Sequence, residues 1–181
     1  DETVLRRFEN LLHGDPNNYL ELAIDYWSAG LNDVALQVLD RADAVHAAGP
    51  MTYYYMGLCG RSADFDRGRQ ACPDYCFPNR LEDILALQAA LLFNGSDDHA
   101  NYYLGCLYYA NRQYDVACHY WEESARLNPT FPTVWRNLAL AAYNKAHRFD
   151  AAVEYMERAF SLNMDDARVF MELDQLYKRL G

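Results

Sequence analysis

Four positions in this chain recur at one fixed spacing. Ala117, Trp121, Ser124 and Pro129 are followed 35 residues later by Ala152, Met156, Ala159 and Met164. A recurrence of this length demands the same supersecondary unit twice, each burying its apolar face on the next. Within a unit, Ala117, Trp121 and Ser124 fall at i, i+4 and i+7, the spacing of one helix face. The pattern predicts stacked helix pairs, an architecture that usually binds other molecules and does not transform them.

The clearest unit runs from Asp98 to Phe131. Its first half, DHANYYLGCLYYAN, carries Leu104, Gly105 and Tyr108; its second, QYDVACHYWEESARLNP, ends at Pro129 because proline cannot continue a helix. Gly105 and Ala117 are small, so the two helices of a pair can approach closely, with Tyr108 and Trp121 filling the space around that contact. Ser124, also small, is expected to let the next pair pack on the second helix. These residues resemble the tetratricopeptide repeat, whose pattern is a large residue, Leu-Gly, Tyr, then Ala, Phe, Ala and Pro. The resemblance implies an all-α fold: a right-handed superhelical array of antiparallel helix pairs, a tetratricopeptide-like α-solenoid, here with about ten or eleven helices.

The next unit repeats the scheme with Trp135, Leu138 and Ala139, then Ala152, Met156 and Ala159, and has one extra residue in its turn near Ala146-His147-Arg148. A further first helix follows, with Phe170, Leu173 and Tyr177, and is expected to cap the array before Gly181. Upstream the pattern degenerates. Leu22-Ala23, Tyr26, Ala35, Leu39 and Ala42 make a good repeat with Gly30 at the turn, but Pro16 suggests a first helix about one turn short. Val4, Phe8 and Leu11 fit a second helix alone. Met56-Gly57 opens another pair whose second helix, around Phe65 to Ala71, is short and carries Gly68. CPDYCFPN must be a loop. The expected organisation is one repeat domain over 1–181: degenerate repeats 1–71, connecting loop 72–79, regular repeats 80–164 and a capping helix 165–181. TYYYMG and NYYLGCLYYA are tyrosine-rich enough to suggest strands. The three- and four-residue spacing of their small residues favours helix.

Composition narrows the function classes. The formal charge is −10 over 181 residues, and the basic residues are scattered; Lys178-Arg179 lies in the last helical turn, where cations suit the helix dipole. A nucleic-acid partner is therefore not expected. No apolar run reaches the roughly 18 residues of a membrane span, so no membrane partner is expected either. Five cysteines at irregular spacing argue against a disulfide framework and for a reducing, cytoplasmic setting. The chain opens at Asp1, without methionine and in mid-repeat, as expected of a boundary inside a longer protein.

No residue set calls for chemistry. Cys72 and Cys76 are separated by three residues, whereas zinc pairs usually have two between them and need further ligands; unligated structural thiols are the better reading. Glu122-Glu123 and Asp165-Asp166 are adjacent, so each pair points to different faces and reads as solvated charge. His13, His46, His99, His119 and His147 are scattered, and no serine or cysteine has a nucleophile motif. We therefore expect no catalytic residue, no metal and no cofactor: not an enzyme.

The family register places first helices on a concave face. On that register the groove candidates are Trp27, Tyr54, Tyr102, Tyr109, Arg136, Leu140, Tyr143 and Asn144, with Leu20, Ile24, Leu58 and Cys106 beside them. Tyrosine offers broad contact and a polar tip at low entropic cost, which suits recognition; the alternative is that these rings pack between repeats. The clamp by which chaperone-binding relatives hold a C-terminal carboxylate is incomplete here. Tyr102 and Cys106 stand at its first pair and Glu172 at its last, with only Asn137 and Arg168 fitting.

PDYCFPNR, LEDILALQAAL, TVWRNLALAAYNK and ELDQLYKRLG together resemble the C-terminal repeat region of a bacterial family of unknown function. In that family the repeats follow a large β-rich domain related to sugar-binding or sugar-processing enzymes. The resemblance implies that Asp74, Tyr75, Phe77 and Arg80 fix the break in the array or contact such a domain. Two functions follow as expectations: an interaction module holding a protein or peptide segment, which includes an upstream β-rich domain of the same polypeptide, or a component of a sugar-binding site in a larger bacterial protein. Neither partner identity nor oligomeric state is legible.

Overall fold

The computed structural model describes residues 2–74 and 76–180. Among these residues are eleven helices and no strand: α1 (Glu2–Leu12), α2 (Pro16–Ser28), α3 (Asn32–Ala44), α4 (Pro50–Leu58), α5 (Asp64–Gln70), α6 (Leu81–Phe93), α7 (Asp98–Ala110), α8 (Tyr114–Leu127), α9 (Pro132–Asn144), α10 (Phe149–Leu162) and α11 (Ala167–Leu180). Two compact units divide the chain, residues 1–95 and 96–181. None of the described helices is long and apolar enough to cross a membrane.

In residues 96–181 the helix pairs are regular. Asp97 caps α7, its carboxylate accepting the Ala100 N–H at 2.8 Å. α7 and α8 touch where Gly105 faces Trp121: a methyl at Gly105 would lie 2.3 Å from the indole. The indole N–H donates to the Tyr102 carbonyl at 3.2 Å. Ser124 is fully buried and donates to the Asp98 carbonyl at 2.8 Å, a bond within the α7–α8 pair. α11 closes this unit through a core of Ala139, Met156, Ala159, Val169, Leu173 and Leu176. Asp166 caps α11 by accepting the Arg168 and Val169 N–H groups, at 2.9 and 3.1 Å, so it serves as more than a solvated charge.

The tight turns share one geometry. After α2, α3, α4 and α7 a residue with positive φ stands two places past the helix end: Gly30 (77°), His46 (58°), Gly60 (112°) and Arg112 (62°). Two reversed hydrogen bonds close each turn; after α7 they run from Arg112 N–H to the Tyr109 carbonyl and from Gln113 N–H to the Tyr108 carbonyl. Glycine adopts this conformation freely, but a side chain there costs about 1–2 kcal/mol. Replacing exposed Arg112 by glycine is therefore expected to raise unfolding stability by roughly 0.5–1 kcal/mol after the added entropy of the unfolded chain is subtracted. Urea denaturation tests this; unchanged or lower stability would contradict it. The four-residue turn 145–148 carries the extra residue anticipated above, with His147 at φ 52°.

In residues 1–95, α2 is not short. It spans thirteen residues, as α7 and α9 do. Pro16 occupies the first helical position, where no N–H is needed, and Asp15 accepts the Asn17 N–H at 2.8 Å. The proline that suggested truncation thus starts the helix. α5 has only seven residues and is tied down by charge. Arg61 bridges Asp40 (2.6 Å) and Asp64 (2.7 Å), and Arg67 bridges Asp64 (2.9 Å) and Asp43 (2.6 Å). The Arg67 hydrogen bond holds the Asp43 carboxyl below its ordinary range, despite partial burial. α6 packs on α4 through buried Ala86, Leu87 and Ala90, and half-exposed Phe93 lies beside Phe65 with ring centroids 5.5 Å apart.

Candidate functional site

Within residues 96–181 an open cleft of about 280 Å³, among others, lies between α9 and α11. Leu140, Tyr143 and Asn144 come from α9, one helical turn apart, so they share a face. Gln175, Leu176 and Arg179 come from α11, and Met156 from α10 closes the floor. Arg179 donates to the Tyr143 hydroxyl at 2.9 Å, and its guanidinium lies 5.6 Å from the ring centroid. Three of the groove candidates read from sequence are thus brought together here.

Arg136 is placed beside this cleft but is not available as a lone cation. Its guanidinium makes a two-pronged bond to Glu172 on α11, at 2.7 and 2.5 Å, and Arg168 reaches the same carboxylate at 3.5 Å. Pairwise motif matching treats each position separately, so a partner one repeat away was missed. The remaining candidates are spread out. Tyr54 is fully buried against Gly68. Tyr102 is buried with its ring 4.9 Å from Phe131. Tyr109 sits between Tyr114 and Trp121, at 5.0 and 5.2 Å, and burial pushes its hydroxyl pKa up. Trp27 packs edge-on against Tyr55 at 6.1 Å.

The loop candidates gather within residues 1–95. Asp74, Phe77 and Arg80 line a second cavity of about 350 Å³ with Leu20, Ile24 and Met51. Tyr75 lies outside the described residues. Arg80 fastens the loop to α2, its Nε donating to Glu21 at 3.0 Å. Buried Asp83, at the start of α6, holds the loop's end: it accepts the Asn79 and Arg80 backbone N–H groups at 2.9 and 3.0 Å and the Tyr55 hydroxyl at 2.8 Å. Burial, with that carboxylate beside it, pushes the Tyr55 hydroxyl pKa far up. Sequence reasoning missed Asp83 because its buried hydroxyl partner lies on α4, 28 residues away in the chain.

Burial pushes the Cys59 thiol up to about 11 and raises Cys118 as well, so both stay protonated at neutral pH. No group of three or more His, Cys, Asp or Glu side chains is placed to hold a metal among the described residues.

Paired helices joined by tight turns, with a small residue of one helix under a large ring of the next, define a tetratricopeptide-type α-solenoid. Residues 99–131 match the family model described as tetratricopeptide repeat. The chain is similar in fold to MamA (from residue 41 to its end) of Desulfovibrio magneticus RS-1, with a TM-score of 0.51 and 18% identity over 91% of this chain and 84% of that one. It is similar to PilF of Pseudomonas aeruginosa with a TM-score of 0.52 and 18% identity, over 91% of this chain and 68% of that one. At this identity the likeness is one of architecture.

Proposed function

We propose that this chain is a non-catalytic interaction module and that the cleft between α9 and α11 holds a segment of a partner protein. The observation that carries the reading is the convergence of Leu140, Tyr143, Asn144, Gln175 and Arg179 on one open cleft. An apolar floor with a few polar groups at its edge is the usual make-up of a recognition site. Tyr143 and Arg179 are the anchor types that dominate binding energy at interfaces. The Arg136–Glu172 bridge holds α9 against α11 and so fixes the width of the cleft.

Peptides selected from a random library against the whole chain test this. They are expected to shift the amide resonances of Leu140, Tyr143 and Asn144. Tyr143→Ala combined with Arg179→Ala should weaken them about tenfold or more, a loss of at least ~1.4 kcal/mol. Both side chains are partly exposed, so far-UV helicity should not change. Selected peptides that bind the double variant as tightly as the parent would remove the cleft from the proposal.

A further inference from the structure

The cavity in residues 1–95 differs in charge from the cleft. Its floor is apolar, with Leu20, buried Ile24 and buried Met51. Glu21, Asp74 and Asp83 are its acidic lining residues and Arg80 its cationic one. Arg80 is already engaged by Glu21, with Asp25 4.0 Å away. Asp83 is buried and already serves three donors. Asp74 differs: among the described residues it has no donor, and it stands exposed at the rim. Phe77, three residues on in the same loop, is 76% exposed, an unusual state for a phenylalanine lining a cavity.

We infer that this cavity receives an arginine or lysine side chain carried on a segment of a partner protein. A basic side chain is the one kind with a long aliphatic stem and a charged head. The stem suits Leu20, Ile24 and Met51, and the head reaches the Asp74 carboxylate while lying on the face of Phe77, where the ring's quadrupole attracts a cation. A neutral apolar group would shield Asp74 from water without compensation, and an acidic one would be repelled. The chain's net charge of −10 also draws basic segments in from a distance. At about 350 Å³ the cavity has room for one or two side chains. The site is separate from the α9–α11 cleft and stands or falls on different resonances.

The test is a titration of the isotope-labelled whole chain with a blocked pentapeptide bearing arginine between two leucines. Parallel titrations use the same peptide with citrulline or glutamate in place of arginine, and free arginine amide. The arginine peptide is expected to shift the amides of Leu20, Ile24 and Phe77. Citrulline should weaken binding about tenfold, since it keeps the shape and loses the charge. Glutamate and free arginine amide should leave the shifts near zero. Asp74→Asn and Phe77→Ala, both at exposed side chains, should together weaken the arginine peptide about tenfold without loss of helicity. Equal binding of the citrulline or glutamate peptide would overturn the inference. So would unchanged affinity in the double variant, no shifts at millimolar peptide, or binding of free arginine amide as tight as that of the peptide.

Discussion

Replacing Trp121 by alanine is expected to destabilise the chain by about 3–5 kcal/mol, the range for deleting a large buried ring. The ring is 3% exposed and lies over the one position in α7 where a side chain could not fit. Deletion leaves a void on the Gly105 side, removes the contact with Tyr109 at 5.2 Å, and breaks the bond to the Tyr102 carbonyl. A loss of that size is a large share of the roughly 5–15 kcal/mol that holds a typical domain. Trp121→Phe keeps most of the packing and should cost less than alanine does. The specific contact is separable from general burial by a cycle. Gly105→Ala in the parent overpacks the contact and should cost about 1–3 kcal/mol, because its new methyl falls 2.3 Å from the indole. In the Trp121→Ala background the same methyl enters the void, leaving little more than the helix gain of alanine over glycine. Urea denaturation, with amide exchange in α7 and α8 as the local readout, measures both. An equal cost of Gly105→Ala in the two backgrounds would mean that the close approach does not determine the pairing.

That contact also shows why parts of the fold were legible. Gly105 and Trp121 are chemically extreme residues at a repeating interval, and such residues advertise a helix crossing from sequence alone. Gly30 advertises its turn for the same reason. The identical turns at His46 and Arg112 were silent, since those residue types have no turn preference strong enough to read; the hydrogen-bond pattern imposes the positive φ on them. The length of α2 was misread because proline signals both a helix stop and a helix start, and only the cap made by Asp15 decides between them. The groove candidates fared unevenly for a similar reason. Helical register says which residues share a face, but not which part of that face a neighbouring helix covers. Leu140, Tyr143 and Asn144 border an open cleft, whereas Tyr54, at a comparable register position, is covered by Gly68 and its helix.

Asp83→Ala is expected to cost roughly 3 kcal/mol and to free the end of the 71–80 loop. The carboxylate is 3% exposed and serves three donors at once. Its removal strips the Tyr55 hydroxyl, on a side chain with 0% exposure, of a partner that water cannot easily replace. It also removes the acceptor for two backbone N–H groups where the loop enters α6. A hydrogen bond to a charged group contributes about 1.5–3 kcal/mol and a stranded buried donor costs about 1–3 kcal/mol, so the combined loss exceeds that of a neutral contact. Tyr55→Phe isolates one of the three interactions and should cost about 1 kcal/mol, because it leaves the carboxylate bonded to both backbone donors. Asp83→Asn tests the role of charge: its single carbonyl oxygen can replace only part of the acceptor set, so its cost should fall between the two. The anchoring role makes a second, local prediction. Amide exchange at Asn79 and Arg80 should accelerate in Asp83→Ala more than in Tyr55→Phe, even after both are compared at equal global stability. If the two variants exchanged alike at these amides, the carboxylate would be a partner of Tyr55 alone, and the shape of the cavity beside the loop would depend on Arg80 and Glu21 instead.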